Sequence, residues 1–226
     1  MFQRYAVYFT PDSELAQLGA AWLGWDCAHG LSIKPPRIEG IDDPHALTAT
    51  PRKYGMHGTI KPPFFLASEK TAANLQEDFS ALCCDLAPVS LPGLKVASLG
   101  RFLALVPQSA SPELSDLAAR VVRELDAYRA PPSDAELEKR RQARLTATQD
   151  VNLRTWGYPY VMDEFRFHIT LTERISGPSD QIKQSLRTYF PKQLLEPFQI
   201  DSLTLVGQAA DENFHEIVRF RLKGLP

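Results

Sequence analysis

The sequence predicts an α+β fold, bilobal, with two pseudo-symmetric β-sheet lobes and outer helices around a central cleft. One order of elements occurs twice: a strand with a His-x-Thr motif, a helix, and then further strands. In the first copy these segments lie at 54–61, 68–87 and 95–106, and in the second at 165–171, 179–190 and 200–222. Strands followed by helices on one side are typical of α+β proteins. An internal repeat of this kind indicates two lobes that share a cleft.

Local patterns predict the elements before and within the first copy. Residues 4–9 (RYAVYF) are aromatic and β-branched, which predicts a strand. Thr10-Pro11 has the form of a helix start, and one apolar face follows at helical spacing through Leu15, Leu18, Trp22 and Trp25. Residues 30–53 are rich in Pro, Gly and Asp and are predicted to be loop. We expect Pro62-Pro63 to end the first motif strand.

An insertion follows the first copy. Ser111-Pro112 opens a third helix, and Ser133 and Glu136 have capping-box spacing before a highly charged helix. The chain is therefore divided, within one bilobal domain of 226 residues, into a first motif lobe (about 54–110), an insertion (about 111–155) and a second motif lobe (about 156–226). The strand and helix of residues 1–30 complete a lobe.

Composition limits the function classes. The formal net charge is −2, whereas proteins that grip long nucleic acid usually carry a basic excess, so we expect a small anionic partner and no long polynucleotide. Three cysteines that include a vicinal pair, Cys27, Cys83 and Cys84, predict neither a disulfide framework nor a thiolate zinc site. No apolar run is long enough for a membrane span, and the N-terminus runs directly into a strand-like segment. We expect a soluble, cytoplasmic protein.

Strand periodicity gathers the polar residues of each motif on one face. Side chains in a strand alternate between faces, so His57, Thr59 and Lys61 share one side of the first motif strand. In the second, one side carries Arg166, His168, Thr170 and Thr172. Each strand thus offers an imidazole, a hydroxyl and a cation in one row.

That row suits cleavage of a phosphodiester. One histidine can remove a proton from the attacking oxygen while a second donates a proton to the departing oxygen. The hydroxyls of Thr59 and Thr170 can donate hydrogen bonds to the non-bridging oxygens, and Lys61 and Arg166 can add charge-assisted contacts. This scheme requires neither a metal nor another cofactor. Which histidine is the base stays open.

Further residues have two interpretations each. Tyr54, Tyr158 and Tyr160 flank the motif strands, where they either pack at strand ends or form a wall for a sugar or base ring. The insertion arginines form either a solvated helix face or an anion-gathering lid: Arg129, Arg140, Arg141 and Arg144. Arg4 and Tyr8 share one face of the first strand and could line the cleft. His29, His45 and His215 show no metal-ligand spacing.

At the two motifs, His57-Gly58-Thr59 and His168-Ile169-Thr170, the sequence resembles the two-histidine (2H) phosphoesterase superfamily. The runs YGMHGTIKPPF, RAPPS and WGYPYV followed by FRFHITLT resemble its branch of phosphonate-metabolism proteins, encoded beside carbon–phosphorus lyase. The resemblance implies a bilobal fold in which both histidines face one cleft. It also implies 5-phosphoribosyl 1,2-cyclic phosphate as a substrate, opened to ribose 1,5-bisphosphate.

Two other functions fit the same residues. One is an RNA 2′,3′-cyclic phosphodiesterase or an enzyme like the 2′-5′ RNA ligases, although the long insertion departs from those members. The other is a non-catalytic module that binds a nucleotide or sugar phosphate. The duplicated acid–base pair favours an enzyme over a binding module.

Overall fold

The computed structural model describes residues 2–225, apart from the side chain of Leu194. Its α-helices are Ser13–Leu23 (α1), Pro44–Leu47 (α2), Ala49–Arg52 (α3), Ala72–Asp85 (α4), Pro112–Glu124 (α5), Asp134–Arg141 (α6), Ala147–Trp156 (α7) and Asp180–Tyr189 (α8). Its strands are Arg4–Phe9 (β1), Trp25–Asp26 (β2), Leu31–Ser32 (β3), Gly58–Phe64 (β4), Val89–Leu91 (β5), Leu94–Leu99 (β6), Phe102–Pro107 (β7), Ile169–Thr170 (β8), Phe198–Ile200 (β9), Ser202–Gln208 (β10) and Phe214–Arg221 (β11). The predicted α+β class is confirmed.

Seven strands form one antiparallel sheet in the order β11-β10-β1-β4-β8-β7-β6. The two motif strands, β4 and β8, are neighbours near its centre. They are joined through a single residue pair, Gly58 and Ile169. The sheet therefore has two halves that meet at a narrow seam, and both motifs lie on this seam.

The repeat predicted from the sequence is present, with its hairpins exchanged. The hairpin β6–β7 belongs to the first copy but pairs with β8 of the second. The hairpin β10–β11 belongs to the second copy and reaches β4 through β1. The short strands β5 and β9, one from each copy, pair with each other. Each half of the sheet thus needs strands from both copies, so neither copy can complete its half alone.

The helices cover one face of the sheet. Helix α4 packs against β10 and β11, α8 packs against β6, and α5 packs against β4. Alternate strand residues point towards these helices and are almost completely buried, among them Val7, Ile60, Leu105, Ile169 and Leu203. Burial of these side chains supplies the main stabilising term of the fold. The opposite face is left free for polar residues.

Several boundaries differ from the prediction. Pro62-Pro63 do not end the first motif strand, because β4 contacts β8 only at Gly58 and its register with β1 shifts between Lys61 and Phe64. Proline is tolerated in a strand where one edge is open or the ladder is irregular. The second motif strand is shorter than predicted: only Ile169 and Thr170 pair with β7.

The predicted helix starts are correct for two helices of the insertion and displaced for α1. Ser111 caps α5 and Ser133 forms a capping box with Glu136. Helix α1 begins at Ser13, because the Thr10 hydroxyl bonds to the hydroxyl of Thr204, 2.6 Å away, and does not cap the helix. In residues 30–53, predicted as loop, the structure places the helices α2 and α3.

No helix within residues 2–225 is long and apolar enough to cross a lipid bilayer.

Candidate active site

The seam between β4 and β8 brings the two motifs onto one face of the sheet. Because Gly58 pairs with Ile169 in antiparallel register, His57 lies opposite Thr170 and Thr59 lies opposite His168. The two histidines are then diagonal neighbours, which in a regular antiparallel pair lie about 7–8 Å apart with their Cβ atoms somewhat closer. All four side chains line one cavity of about 610 Å³, which we call the cleft. The predicted pairing of the motifs in one hollow is present in the structure.

The middle residue of the first motif allows this close approach. A Cβ atom on Gly58 would lie 2.4 Å from Cε2 of Phe167, which packs across the seam from the second motif. The clash would be with a buried ring in the core, so any larger residue at this position would push the two motif strands apart. Gly58 thus sets the spacing of the two imidazoles.

Both imidazoles are held in the same way. His57 Nδ1 lies 2.9 Å from the carbonyl oxygen of Gly55, and His168 Nδ1 lies 2.8 Å from that of Arg166. A carbonyl oxygen accepts, so each Nδ1 carries the proton and donates. Each Nε2 is left for a ligand: a lone pair on a neutral ring, or a second N–H on a charged ring.

The surroundings of the two histidines differ. Tyr8, fully buried, stacks on the His57 ring with centroids 4.0 Å apart, and Tyr54 lies 5.7 Å away. Burial lowers the pKa of His57 to about 4, opposed by the Gly55 hydrogen bond and assisted by the charge of His168. His168 has one aromatic neighbour at a comparable distance, Phe102 at 5.9 Å. His57 is therefore neutral at pH 7.

The motif threonines are available to a ligand. Thr59 and Thr170 are half-buried and line the cleft. Among the described residues neither hydroxyl has a hydrogen-bond partner, whereas the hydroxyl of the nearby Thr172 accepts from the backbone N–H of Leu103. Thr59 and Thr170 can therefore donate to phosphate oxygens, as predicted, while Thr172 has a structural role.

The structure does not bring Lys61 into the cleft, so that prediction is wrong. Val7 pairs with Lys61 and Tyr8 pairs with Thr59, so β4 has one residue more than β1 over this stretch. Such a bulge breaks the alternation of side chains. Lys61 is 2% exposed, and its Nζ donates to the carbonyl of Val122 at 3.1 Å and lies 3.4 Å from Asp126 Oδ1.

Arg166 and Tyr160 also lie outside the cleft. Arg166 precedes β8, where no ladder enforces alternation, and it is exposed beside a different cavity next to Phe165 and Phe167. Tyr160 is 44% exposed and contacts the ring of Tyr158 edge-on. For both residues the predicted ligand contact is replaced by a surface position.

The remaining predicted wall residues do line the cleft, together with some that the sequence reasoning missed. Tyr54 and Tyr158 line it, as do Arg4, Tyr8 and, from the charged helix α6, Arg140. The missed residues include Thr50, Glu173 and Arg174. Arg174 continues the spacing of two from His168 through Thr170 and Thr172, which is a signal that could have identified it. Thr50 and Glu173 are bonded to each other across a long sequence separation, and no local pattern indicates this.

Among the residues that the structure describes, no three His, Cys, Asp or Glu side chains come together in a group that could hold a metal ion.

Fold and site together define an α+β protein in which a single antiparallel sheet presents two His-x-Thr motifs to one cleft. The chain belongs to the family described as "Protein of unknown function (DUF1045)", which matches residues 59–215. This range includes the second motif and begins two residues after His57.

Two curated relatives share sequence with the chain, and both are named ribose 1,5-bisphosphate phosphokinase PhnN. The relative from Janthinobacterium sp. (strain Marseille) is 37% identical over 214 residues, which cover 91% of this chain and 47% of the relative. The relative from Laribacter hongkongensis (strain HLHK9) is 35% identical over 174 residues, which cover 76% of this chain and 40% of the relative. The chain thus spans less than half the length of these relatives.

Similar solved structures include a phosphoesterase, with a TM-score of 0.49 and 13% identity over 98% of this chain and 99% of that one. They also include E. coli LigT complexed with 3′-AMP, with a TM-score of 0.47 and 13% identity over 98% and 99% of the two chains. The names of the two curated relatives fit the predicted resemblance to phosphonate-metabolism proteins.

Proposed function

We propose that this protein is a phosphoesterase that opens a small cyclic phosphodiester, with His57 as the base and His168 as the acid. The observation that carries the proposal is the pair of imidazoles that share one cleft, each held through Nδ1 with Nε2 left for a ligand. Two imidazoles at this spacing can bracket one phosphorus atom. No metal is required by this scheme.

The roles follow from the surroundings of each histidine. A base must be neutral, and the lowered pKa of His57 keeps it so at pH 7. Nε2 of His57 takes a proton from water as the water oxygen attacks phosphorus. The bond from phosphorus to one sugar oxygen breaks, and Nε2–H of His168 donates a proton to that oxygen. The product is a phosphate monoester with a free hydroxyl, and Thr59 and Thr170 bind the non-bridging oxygens whose charge grows in the transition state.

The curated relatives suggest which cyclic phosphodiester is opened. They are named for a kinase of ribose 1,5-bisphosphate, and this chain matches less than half of each. Opening of 5-phosphoribosyl 1,2-cyclic phosphate gives ribose 1,5-bisphosphate. We propose that this cyclic ester is the substrate, because the part of the relatives that resembles this chain would then supply what the named kinase consumes.

The test is turnover of 5-phosphoribosyl 1,2-cyclic phosphate, followed by phosphorus NMR in the presence of EDTA. His57→Gln and His168→Gln should each lower kcat/KM by about 10² to 10⁴, the usual contribution of a positioned acid or base. His29→Gln is the matched control, since His29 is exposed and lies outside the cleft.

Other outcomes would assign the cleft differently. Opening of nucleoside 2′,3′-cyclic phosphates, without opening of the sugar phosphate, would place the protein with the RNA-end phosphodiesterases. Tight binding of both compounds without turnover would show a binding module and would overturn the enzyme proposal.

A further inference from the structure

Cationic side chains line two parts of the cleft. Arg174 and its neighbour Glu173 lie on the same chain segment as His168, whereas Arg4 and Arg140 come from β1 and α6. Arg4 and Arg140 lie within electrostatic reach of one carboxylate. The pKa of Glu136 is lowered, first by the hydrogen bond from the Ser133 backbone and further by Arg140 and Arg4. Two guanidinium groups from distant elements thus line the same cleft.

Arg4 is held in place with part of its guanidinium unused. Its Nε donates to Oε1 of Gln208 at 2.7 Å, and Gln208 is itself buried and anchored through Nε2 to the carbonyl oxygen of Glu212. Its Cζ lies 5.8 Å from the ring centroid of Phe214 and 6.0 Å from that of Phe65. Among the described residues, the two terminal NH₂ groups of Arg4 have no hydrogen-bond partner. This is a pre-organised donor pair.

Arg140 lines the cleft from the helix α6. Its Cζ lies 4.9 Å from the ring centroid of Tyr158, which fixes the plane of the guanidinium without using its N–H groups. Within the described part of the chain it makes no ion pair, whereas the next residue, Arg141, is paired with Asp150. The carboxylate near Arg140, Glu136, already accepts from the backbone N–H of Ser133 at 2.9 Å.

Arg4 lies away from the space between the two histidines, where the reacting phosphorus binds in the proposed mechanism. Arg4 and Tyr8 are four residues apart on β1, about 13 Å along an extended strand, and Tyr8 stacks on His57. Arg4 is therefore placed to contact a part of the ligand other than the ester between the histidines. Planar guanidinium groups with free N–H pairs match the oxygens of a phosphate.

We infer that Arg4 and Arg140 form a second anion subsite, which binds a phosphate monoester that the substrate carries in addition to the cyclic phosphodiester. The inference rests on the proposed function and assigns residues to the terminal phosphate of its substrate, a small sugar with two phosphate groups, one cyclic and one terminal. A sugar that carries only the cyclic ester would leave the two guanidinium groups without a phosphate partner in the filled cleft.

The experiment compares two cyclic esters that differ only in the terminal phosphate, 5-phosphoribosyl 1,2-cyclic phosphate and ribose 1,2-cyclic phosphate. The measured quantity is the ratio of their kcat/KM values. The wild-type protein should prefer the doubly phosphorylated ester by 10-fold or more, and Arg4→Met and Arg140→Met should each lower this ratio by about 10-fold, the usual effect of losing a hydrogen bond to a charged group. Lys139→Met is the control, since it removes one positive charge from an exposed position of the same helix. An unchanged ratio in both variants would overturn the subsite.

A binding titration separates this inference from the proposed reaction. Ribose 5-phosphate has the terminal phosphate and no cyclic ester, so its binding, measured by calorimetry, is independent of catalysis. We expect binding to the wild-type protein and at least 10-fold weaker binding to both arginine variants. If neither cyclic ester is opened but this pattern is found, the proposed function fails and the subsite stands. If ribose 5-phosphate does not bind the wild-type protein, or binds the variants equally well, the subsite is refuted whatever the turnover.

Discussion

The acid limb of the pH profile tests the assignment of His57 as the base. Burial lowers the pKa of His57 from 6.5 to about 4. A shift of this size corresponds to a preference for the neutral imidazole of at most about 3.4 kcal/mol, at about 1.36 kcal/mol for each pKa unit. Because a base must be unprotonated, activity is lost only as the pH falls through the folded-state pKa. We expect kcat/KM to fall to half its plateau value near pH 4.

The same shift links the stability of the protein to pH. Between pH 6.5 and pH 4 the unfolded chain binds a proton at His57 that the folded chain does not bind. The contribution of neutral His57 to the free energy of unfolding is therefore fully present above pH 6.5. It is lost as the pH falls towards 4. Circular dichroism at each pH separates this loss of stability from loss of catalysis.

A substitution of Tyr54, one of the tyrosines that pack on His57, tests the assignment of His57 as the base directly. Tyr54→Ala removes one of the rings that pack on His57, so the acid limb should move up from pH 4 towards 6.5. Tyr160→Ala is the matched control, because Tyr160 is exposed and outside the cleft. NMR titration of the His57 ring, assigned with His57→Gln, should give the same pKa as the kinetics. An acid limb near 6.5 in the wild-type protein, unmoved by Tyr54→Ala, would refute the role of burial and the assignment of the base.

Two further predictions concern stability and use chemical denaturation. Tyr8 has the one buried side-chain oxygen without a hydrogen-bond partner in the part of the chain described, and such a group costs about 1–3 kcal/mol. Tyr8→Phe should therefore raise the free energy of unfolding by about 1 kcal/mol, with Tyr5→Phe on the opposite face of the strand as control; a destabilised variant would show that the hydroxyl is satisfied. Asp126 contacts both Lys61 and Arg129, so Asp126→Ala should cost about 2–3 kcal/mol, since it removes the carboxylate that both cations share, whereas Lys61→Met should cost less than about 1 kcal/mol. Equal losses in the two variants would contradict this account of the cluster.

The sequence predicts those parts of the site that depend on short-range rules. The alternation of strand residues places His57 with Thr59 and His168 with Thr170, and the structure keeps both pairs. Hydroxyl caps predict the starts of α5 and α6 for the same reason, since the capping contact spans three residues.

The other parts of the site depend on contacts between segments that are distant in sequence. The position of Lys61 is decided by a bulge against β1, and a bulge is visible only once two strands are paired. Arg166 fails as a prediction because β8 takes its pairing from β7 of the other copy and begins only at Ile169. The presence of Arg4 and Arg140 in one cleft likewise needs the N-terminal strand and the insertion to be brought together.

The same long-range pairing explains why a nearly symmetric site has unequal histidines. The strand β8 abuts the hairpin of the other copy directly, through β7. On the other side, the strand β1 is inserted between β4 and the hairpin β10–β11. Tyr8 of β1 pairs with Thr59 and so lies against His57, whereas His168 receives no equivalent ring from an inserted strand. One extra strand thus places an aromatic ring on one imidazole of the pair, and this difference is the basis of the proposed roles of base and acid.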